Sequence, residues 1–383
     1  MGAELDPGTL AEAAVTEAGR DDFGDIPYEE PLDVLVGSLN QDAGLDPDHL
    51  AAAGATLTGL LVKRLRLVDD RNQYPEISKE DVKAPIFIVG LPRSGSSLLH
   101  SLMGQVAGLR VPLYWEMTVP SPPPRLDTYT SDPRIDQIRV ALAQVPDEML
   151  LRHPVAADRP EQCNLLNDWS LLHQALLAYY HLPAYRDWLL DADYSPAFEA
   201  HHRTLQHLQW QVPGRWVLKY PKHLIALDYL FARYPDARMV WTHRDPAVVM
   251  PSVASLTSYI RSTASGPVDE VRYGREWTAF EELILYRGLA ARDRIGRDDD
   301  RFFDVHYLDL MADPIGILGA AFDRFGVPFD ADSIGGVERF LADNPQTKHG
   351  VHRYSAGQFG LDAGRLHRRF GAYMDQFRVK PEV

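Results

Sequence analysis

One segment constrains this chain more than any other: PIFIVGLPRSGSSLLHSLM, residues 85–103. Ile86, Phe87, Ile88 and Val89 form a short apolar run that reads as a buried strand, and Leu98, Leu99, Leu102 and Met103 recur at helical spacing. A strand that feeds a helix through GLPRSGSS leaves unpaired N–H groups at the helix start, where an anion is stabilised. Gly95 lets the backbone curl closely around such an anion, and Ser94, Ser96 and Ser97 supply hydroxyl donors. Arg93 adds a permanent cation with several donors. Loops that bind nucleoside triphosphates end in Gly-Lys-Ser/Thr, the lysine reaching the outer phosphates and the hydroxyl holding magnesium. Here Gly95-Ser96-Ser97 takes that place, so triphosphate hydrolysis lacks its lysine.

From Ala84 onward the same alternation repeats: Trp216–Lys219 before HLIALDYLFARY, Met239–Trp241 before DPAVVMPSVASL, and Phe302–Val305 before DPIGILGAAFDRFG. Strands alternating with helical patterns predict a central parallel sheet covered by crossover helices, an α/β fold. The last helix is punctuated by Asp313 as cap, Pro314 at its first position, and Gly326 then Pro328 at its end. Residues 1–82 read as a helical N-terminal appendage, with Asp46 and Pro47 starting a helix that carries Leu57, Leu60, Leu61 and Leu65. Residues 83–383 form the main domain. Within it, a helical insertion of about 125–212, including SPAFEAHHRTLQHLQW, is placed to wall the substrate side.

Composition excludes several partners. The chain of 383 residues carries a formal net charge of -15, which repels nucleic acid and anionic membranes, so any bound anion must be held by local cations. Cys163 is the only cysteine, which rules out an internal disulfide and a cysteine-rich zinc site and fits a reducing compartment. The acidic start around Glu4 and Asp6 is unlike a signal peptide, and no stretch reaches the roughly 18 apolar residues of a membrane span. A cytoplasmic protein is the expectation. The sequence carries no signal of oligomeric state.

A second motif lies in RMVWTHRDPAVVMPSVASL. Arg244 ends a strand just before Asp245 and Pro246, a cap and first position for the next helix, and Ser252 follows eight residues after Arg244. An arginine and a serine at a strand-to-helix junction suit a second phosphate. PRSGSSLL followed downstream by HRDPAVVMPS resembles the two cofactor signatures of the sulfotransferase superfamily that uses 3′-phosphoadenosine 5′-phosphosulfate (PAPS). The loop arginine and the YWEMTVPSPPP that follows are similar to the bacterial group related to tyrosylprotein sulfotransferases. The resemblance covers roughly Ala84 to Phe377.

It implies a P-loop-like three-layer fold and transfer of a sulfuryl group from PAPS to a hydroxyl of a small-molecule acceptor, without a metal. The product nucleotide is 3′-phosphoadenosine 5′-phosphate (PAP). Arg93 then contacts the transferring group, Ser94, Gly95, Ser96 and Ser97 wrap the 5′-phosphate, and Arg244 with Ser252 holds the 3′-phosphate. Lys348 and Arg353, in KHGVHRYSAGQFGL, stand near the basic-glycine loop that closes over that phosphate, although the usual Arg-Lys-Gly order is absent. Lys219 matches a lysine that stabilises the leaving phosphate. Glu116, 23 residues after Arg93, matches the base of the tyrosylprotein group, and His223 is the rival base. The polar turn RHPVAADRPEQCNLL carries His153 and Glu161, for which helix capping and substrate contact both stand open. The aromatic stretch from Tyr179 to Tyr194 reads as a pocket wall or as core. Two alternatives remain on the same fold, a small-molecule kinase and a non-catalytic nucleotide-binding protein. Phenols, lipids, polyketides and glycosides all fit the acceptor side.

Overall fold

The computed structural model describes residues 4–345 and 354–383. Five strands, β1 (Ile86–Gly90), β2 (Leu109–Arg110), β3 (Arg215–Lys219), β4 (Arg238–His243) and β5 (Phe302–His306), form one sheet in the order β2-β3-β1-β4-β5. Every recorded pairing is parallel. The four longer strands lie where the apolar runs predict them; β2 has only two residues and carries no sequence signal.

Alternation along the strands builds the three layers. Ile86, Ile88, Val217, Val240 and Val305 point into one apolar cluster, while Phe87, Val89, Trp216, Leu218, Met239 and Trp241 point into another. Successive side chains in a strand face opposite ways, so helices must cover both faces. On the first face lie α4 (Ser96–Met103) and the helix Pro314–Phe325, whose Asp313 cap accepts from the Gly316 N–H at 2.8 Å and whose end at Gly326 is left-handed.

The other face is covered in part by α1 (Pro7–Ala18), α2 (Glu29–Gln41) and α3 (Pro47–Gln73). Leu57, Leu61 and Leu65 of α3 belong to the same cluster as Trp216 and Trp241. Two buried cations tie α3 to its surroundings. Lys63 Nζ donates to Asp168 at 2.8 Å, and Arg64, with no exposed surface, donates to the carbonyls of Phe23 and Ile26. Between β2 and β3 run short helices and one longer one, Ser195–Gln209. Among the described residues no helix is long and apolar enough to cross a membrane.

β1 sits between β3 and β4, so the chain leaves it toward opposite sides, and the crevice at that switch point opens at the carboxyl ends of the strands. The loop after β1, Lys219 at the end of β3 and Arg244 just after β4 all meet there.

Candidate active site

The loop after β1 is held in a conformation only a few residue types tolerate. A Cβ at Gly90 would lie 2.2 Å from the Thr242 carbonyl oxygen, so glycine is required where β1 meets β4. Gly95 has φ +88 and Arg93 φ +63, the left-handed region, where a non-glycine residue is strained and is held by its surroundings. The restraint is visible. The Ser94 hydroxyl, fully buried, donates to the Leu91 carbonyl and lies 2.6 Å from the Thr242 hydroxyl, which donates to Val89 O at 3.0 Å. Ser94 therefore spends its side chain on the loop's shape, whereas Ser97 is exposed at the start of α4.

The two predicted anion sites are adjacent. Arg93 Nε donates to Ser252 Oγ at 3.3 Å, Arg93 Nη1 donates to Arg152 O at 3.3 Å, and Arg244 Nη1 donates to Arg93 O at 2.9 Å. The Arg244 guanidinium lies 3.6 Å from the Tyr307 ring centroid, and its Nε and Nη2 edge faces the Glu382 carboxylate. Arg93, Arg244 and Ser252 are thus brought together. Lys348 and Arg353 lie outside the described residues.

Lys219 is 3 % exposed at the end of β3. Burial lowers its pKa, and the neighbouring Glu161 partly offsets that. Glu161 Oε1 stands 3.7 Å from Lys219 Nζ and accepts from the Gln162 N–H at 2.7 Å; Oε2 stands 3.0 Å from His153 Nε2. Burial pushes the Glu161 pKa up, but His153 and Lys219 outweigh it and hold the carboxyl well below the usual range. His153 directly follows Arg152, whose carbonyl touches Arg93. The polar turn that left capping and substrate contact open thus places Glu161 beside His153 and Lys219, and Arg152, the residue before His153, against Arg93.

Glu116 is placed differently from what its predicted role requires. It is fully buried, its Oε2 2.6 Å from Arg110 Nη2, its Oε1 accepting from the Leu113 N–H at 2.9 Å and the Tyr129 hydroxyl at 3.1 Å. Arg110 also donates to the carbonyls of Leu208 and Val212. Both carboxylate oxygens are hydrogen-bonded to the protein itself, in a side chain with no exposed surface. His223 is likewise interior. Its Nε2 lies 3.1 Å from Cys163 Sγ, its ring packs on Phe87 and Phe198, and burial pushes the imidazole down to about 3. Both side chains are thus buried with partners inside the protein.

Among the described residues, Cys163, His201 and His223 are the one group with metal-ligand atoms within 4.8 Å of one another. All three are buried, no carboxylate joins them, and the thiol already pairs with His223.

The aromatic stretch divides. Tyr180, Tyr185 and Tyr194 are core, while Tyr179 is 43 % exposed. Burial raises the pKa of Tyr114, and the Glu161 charge adds to that shift. Beyond Arg152 opens a cleft of about 590 Å³ lined by Glu148, Ser255, Ser258, Tyr259 and Gln358.

A family model described as "Sulfotransferase family" matches residues 85–331. The omega-hydroxy-beta-dihydromenaquinone-9 sulfotransferase Stf3 of Mycobacterium tuberculosis is 26% identical over 313 residues, 76% of this chain and 74% of that protein. Sulfotransferase STF9 from Mycobacterium avium superposes with a TM-score of 0.89 at 28% identity, over 98% of this chain and 97% of that one. Sulfotransferase STF1 from Mycobacterium tuberculosis gives 0.84 at 30% identity, over 97% and 100%. The strand-loop-helix at Arg93 and the arginine-serine pair at Arg244 lie within the matched residues, and the chain belongs to the sulfotransferase family.

Proposed function

We propose that the protein transfers a sulfuryl group from PAPS to a hydroxyl of a small, lipid-like acceptor, releasing PAP, in the cytoplasm. The observation that carries this reading is the convergence of Arg93, Lys219, Arg244 and Ser252 at the carboxyl ends of the strands, with Glu161 and His153 beside them. The lipid-like acceptor rests on the similarity to Stf3, whose name specifies a hydroxylated menaquinone.

The α4 amino terminus with Gly95, Ser96 and Ser97 receives the 5′-phosphate; Arg244 and Ser252 receive the 3′-phosphate. Sulfuryl transfer breaks the bond to the 5′-phosphate oxygen and forms one to the acceptor oxygen, passing through a charge-spread group, so positioning and fixed charge do most of the work. Arg93 and Lys219 supply that charge from fixed positions. The acceptor proton goes to the Glu161 and His153 pair. His153 and Lys219 beside it hold the Glu161 carboxyl low, so the proton is shared across the hydrogen-bonded carboxylate and imidazole and is not assigned to one atom.

Calorimetry with PAP tests the nucleotide: micromolar binding is expected, with none for magnesium-ATP at the same concentration. Binding of ATP alone would reverse the reading. Transfer of labelled sulfate from PAPS to a panel of hydroxylated lipids and phenols then tests the reaction.

A further inference from the structure

The edge of Arg244 that a phosphate needs is already taken by the protein's own carboxylate. Nε donates to both Glu382 oxygens, at 3.0 and 3.2 Å, and Nη2 donates to Oε2 at 3.0 Å. This is the two-pronged fit by which a guanidinium grips a carboxylate or a phosphate, and one edge cannot grip both. The contact is built rather than incidental. Val379 is buried and its N–H donates to Met374 O at 2.9 Å, while the Glu382 N–H donates to Asp245 Oδ2 at 2.7 Å. Asp245 in turn accepts from Ala247 N–H at 2.8 Å and faces His367 Nε2 at 2.9 Å. Both ends of the short strap are fastened to the fold, so Glu382 is presented to Arg244 at high local concentration. Arg244 keeps its bond to Arg93 O and its stack on Tyr307 on its other sides. It can exchange one anion for another without losing its place.

We propose that Glu382 is an internal stand-in for the 3′-phosphate: it caps Arg244 while the site is vacant and must swing away for the nucleotide to bind. The inference rests on the reading of Arg244 as the 3′-phosphate residue. Its consequence is selectivity. A nucleotide without a 3′-phosphate cannot displace Glu382 and gains nothing from Arg244, whereas PAP binds against an equilibrium set by the strap, so its apparent affinity is reduced by the fraction of molecules held closed.

The test is calorimetry with PAP and with adenosine 5′-monophosphate on the wild-type protein, Glu382→Gln and Glu382→Ala, each checked for an unchanged melting temperature. Both variants retain the main-chain bond to Asp245. PAP is expected to bind both variants about tenfold more tightly than wild type, the size of a tethered ion pair with partial burial. Adenosine 5′-monophosphate is expected to bind all three alike. Equal PAP affinity in all three proteins overturns the proposal, and weaker PAP binding in the variants overturns it in favour of Glu382 as a brace for Arg244. Absence of PAP binding in every protein overturns the nucleotide assignment itself, a different result from equal affinity.

Discussion

Glu116 and Glu161 are both buried acids beside a cation, on segments that pair with each other through Tyr114 N–H to Arg159 O at 2.9 Å and Trp115 N–H to Ala157 O at 3.0 Å. Their situations differ in what the cation does otherwise. Arg110 is a hub that also holds two carbonyls, and Glu116 completes it. Lys219 stands 3.7 Å from Glu161, too far for a good hydrogen bond, at the mouth of the strand crevice. Two buried acids therefore give one closed ion pair, at Arg110, and one looser pair, at Lys219.

The sharpest way to break this comparison is Glu161→Gln. It is expected to lower kcat by about 10²- to 10⁴-fold, the usual range for a proton-transfer group, with PAP affinity by calorimetry unchanged. Undiminished turnover would remove Glu161 from the chemistry. Glu116→Gln should do the opposite, costing about 3–5 kcal/mol of stability by leaving Arg110 buried and uncompensated, with turnover per folded molecule kept. Urea unfolding with an activity assay on the folded fraction checks it, and a stable but inactive variant would exchange the two roles. Arg110→Met with Glu116→Leu, which removes both charges, should recover most of that loss.

The comparison extends to two histidines. The His223 pKa is depressed to about 3 by burial, against 6.5 for the ordinary imidazole. The unfolded chain therefore binds the extra proton first. The contribution of neutral His223 is fully present above about pH 6.5 and is lost as pH falls toward 3, at up to about 1.4 kcal/mol per pH unit. His223→Gln should flatten the pH dependence of unfolding between pH 6 and 4 by about one proton, and an unchanged slope would place the titration elsewhere. The smallest expected effect is at the looser pair: His153→Gln should lower kcat about tenfold and alter the pH–rate profile, while leaving KM and the melting temperature in place.

Most of the fold was legible because its signals are local. Strand alternation, the Asp313 and Asp46 caps and the glycines at Gly95 and Gly326 each act within a few residues, and the structure keeps all of them. β2 was illegible because two residues have no period. Of the candidate site, the sequence motifs anticipated the meeting of Arg93, Arg244 and Ser252, with Lys219 at the end of the neighbouring strand. The surroundings of Glu116 were not legible, since nothing local tells that Arg110, six residues before it, turns inward to meet it. Glu161 was left open between capping and substrate contact, and Glu382 was unread, for a related reason. Their partners Lys219 and Arg244 are separated from them by long stretches of chain, and only the folded sheet brings them together.

Cys163, two residues beyond Glu161, has its thiol pushed up to about 12 by burial against the sheet. A thiol reacts only as thiolate and only when reached, so alkylating reagents find nothing to attack while the wall beside the reaction centre stays closed. With no second cysteine to confuse the count, the rate at which this sulfur is modified becomes a clock for the breathing of that wall. Bound nucleotide or acceptor that holds the wall shut should slow it.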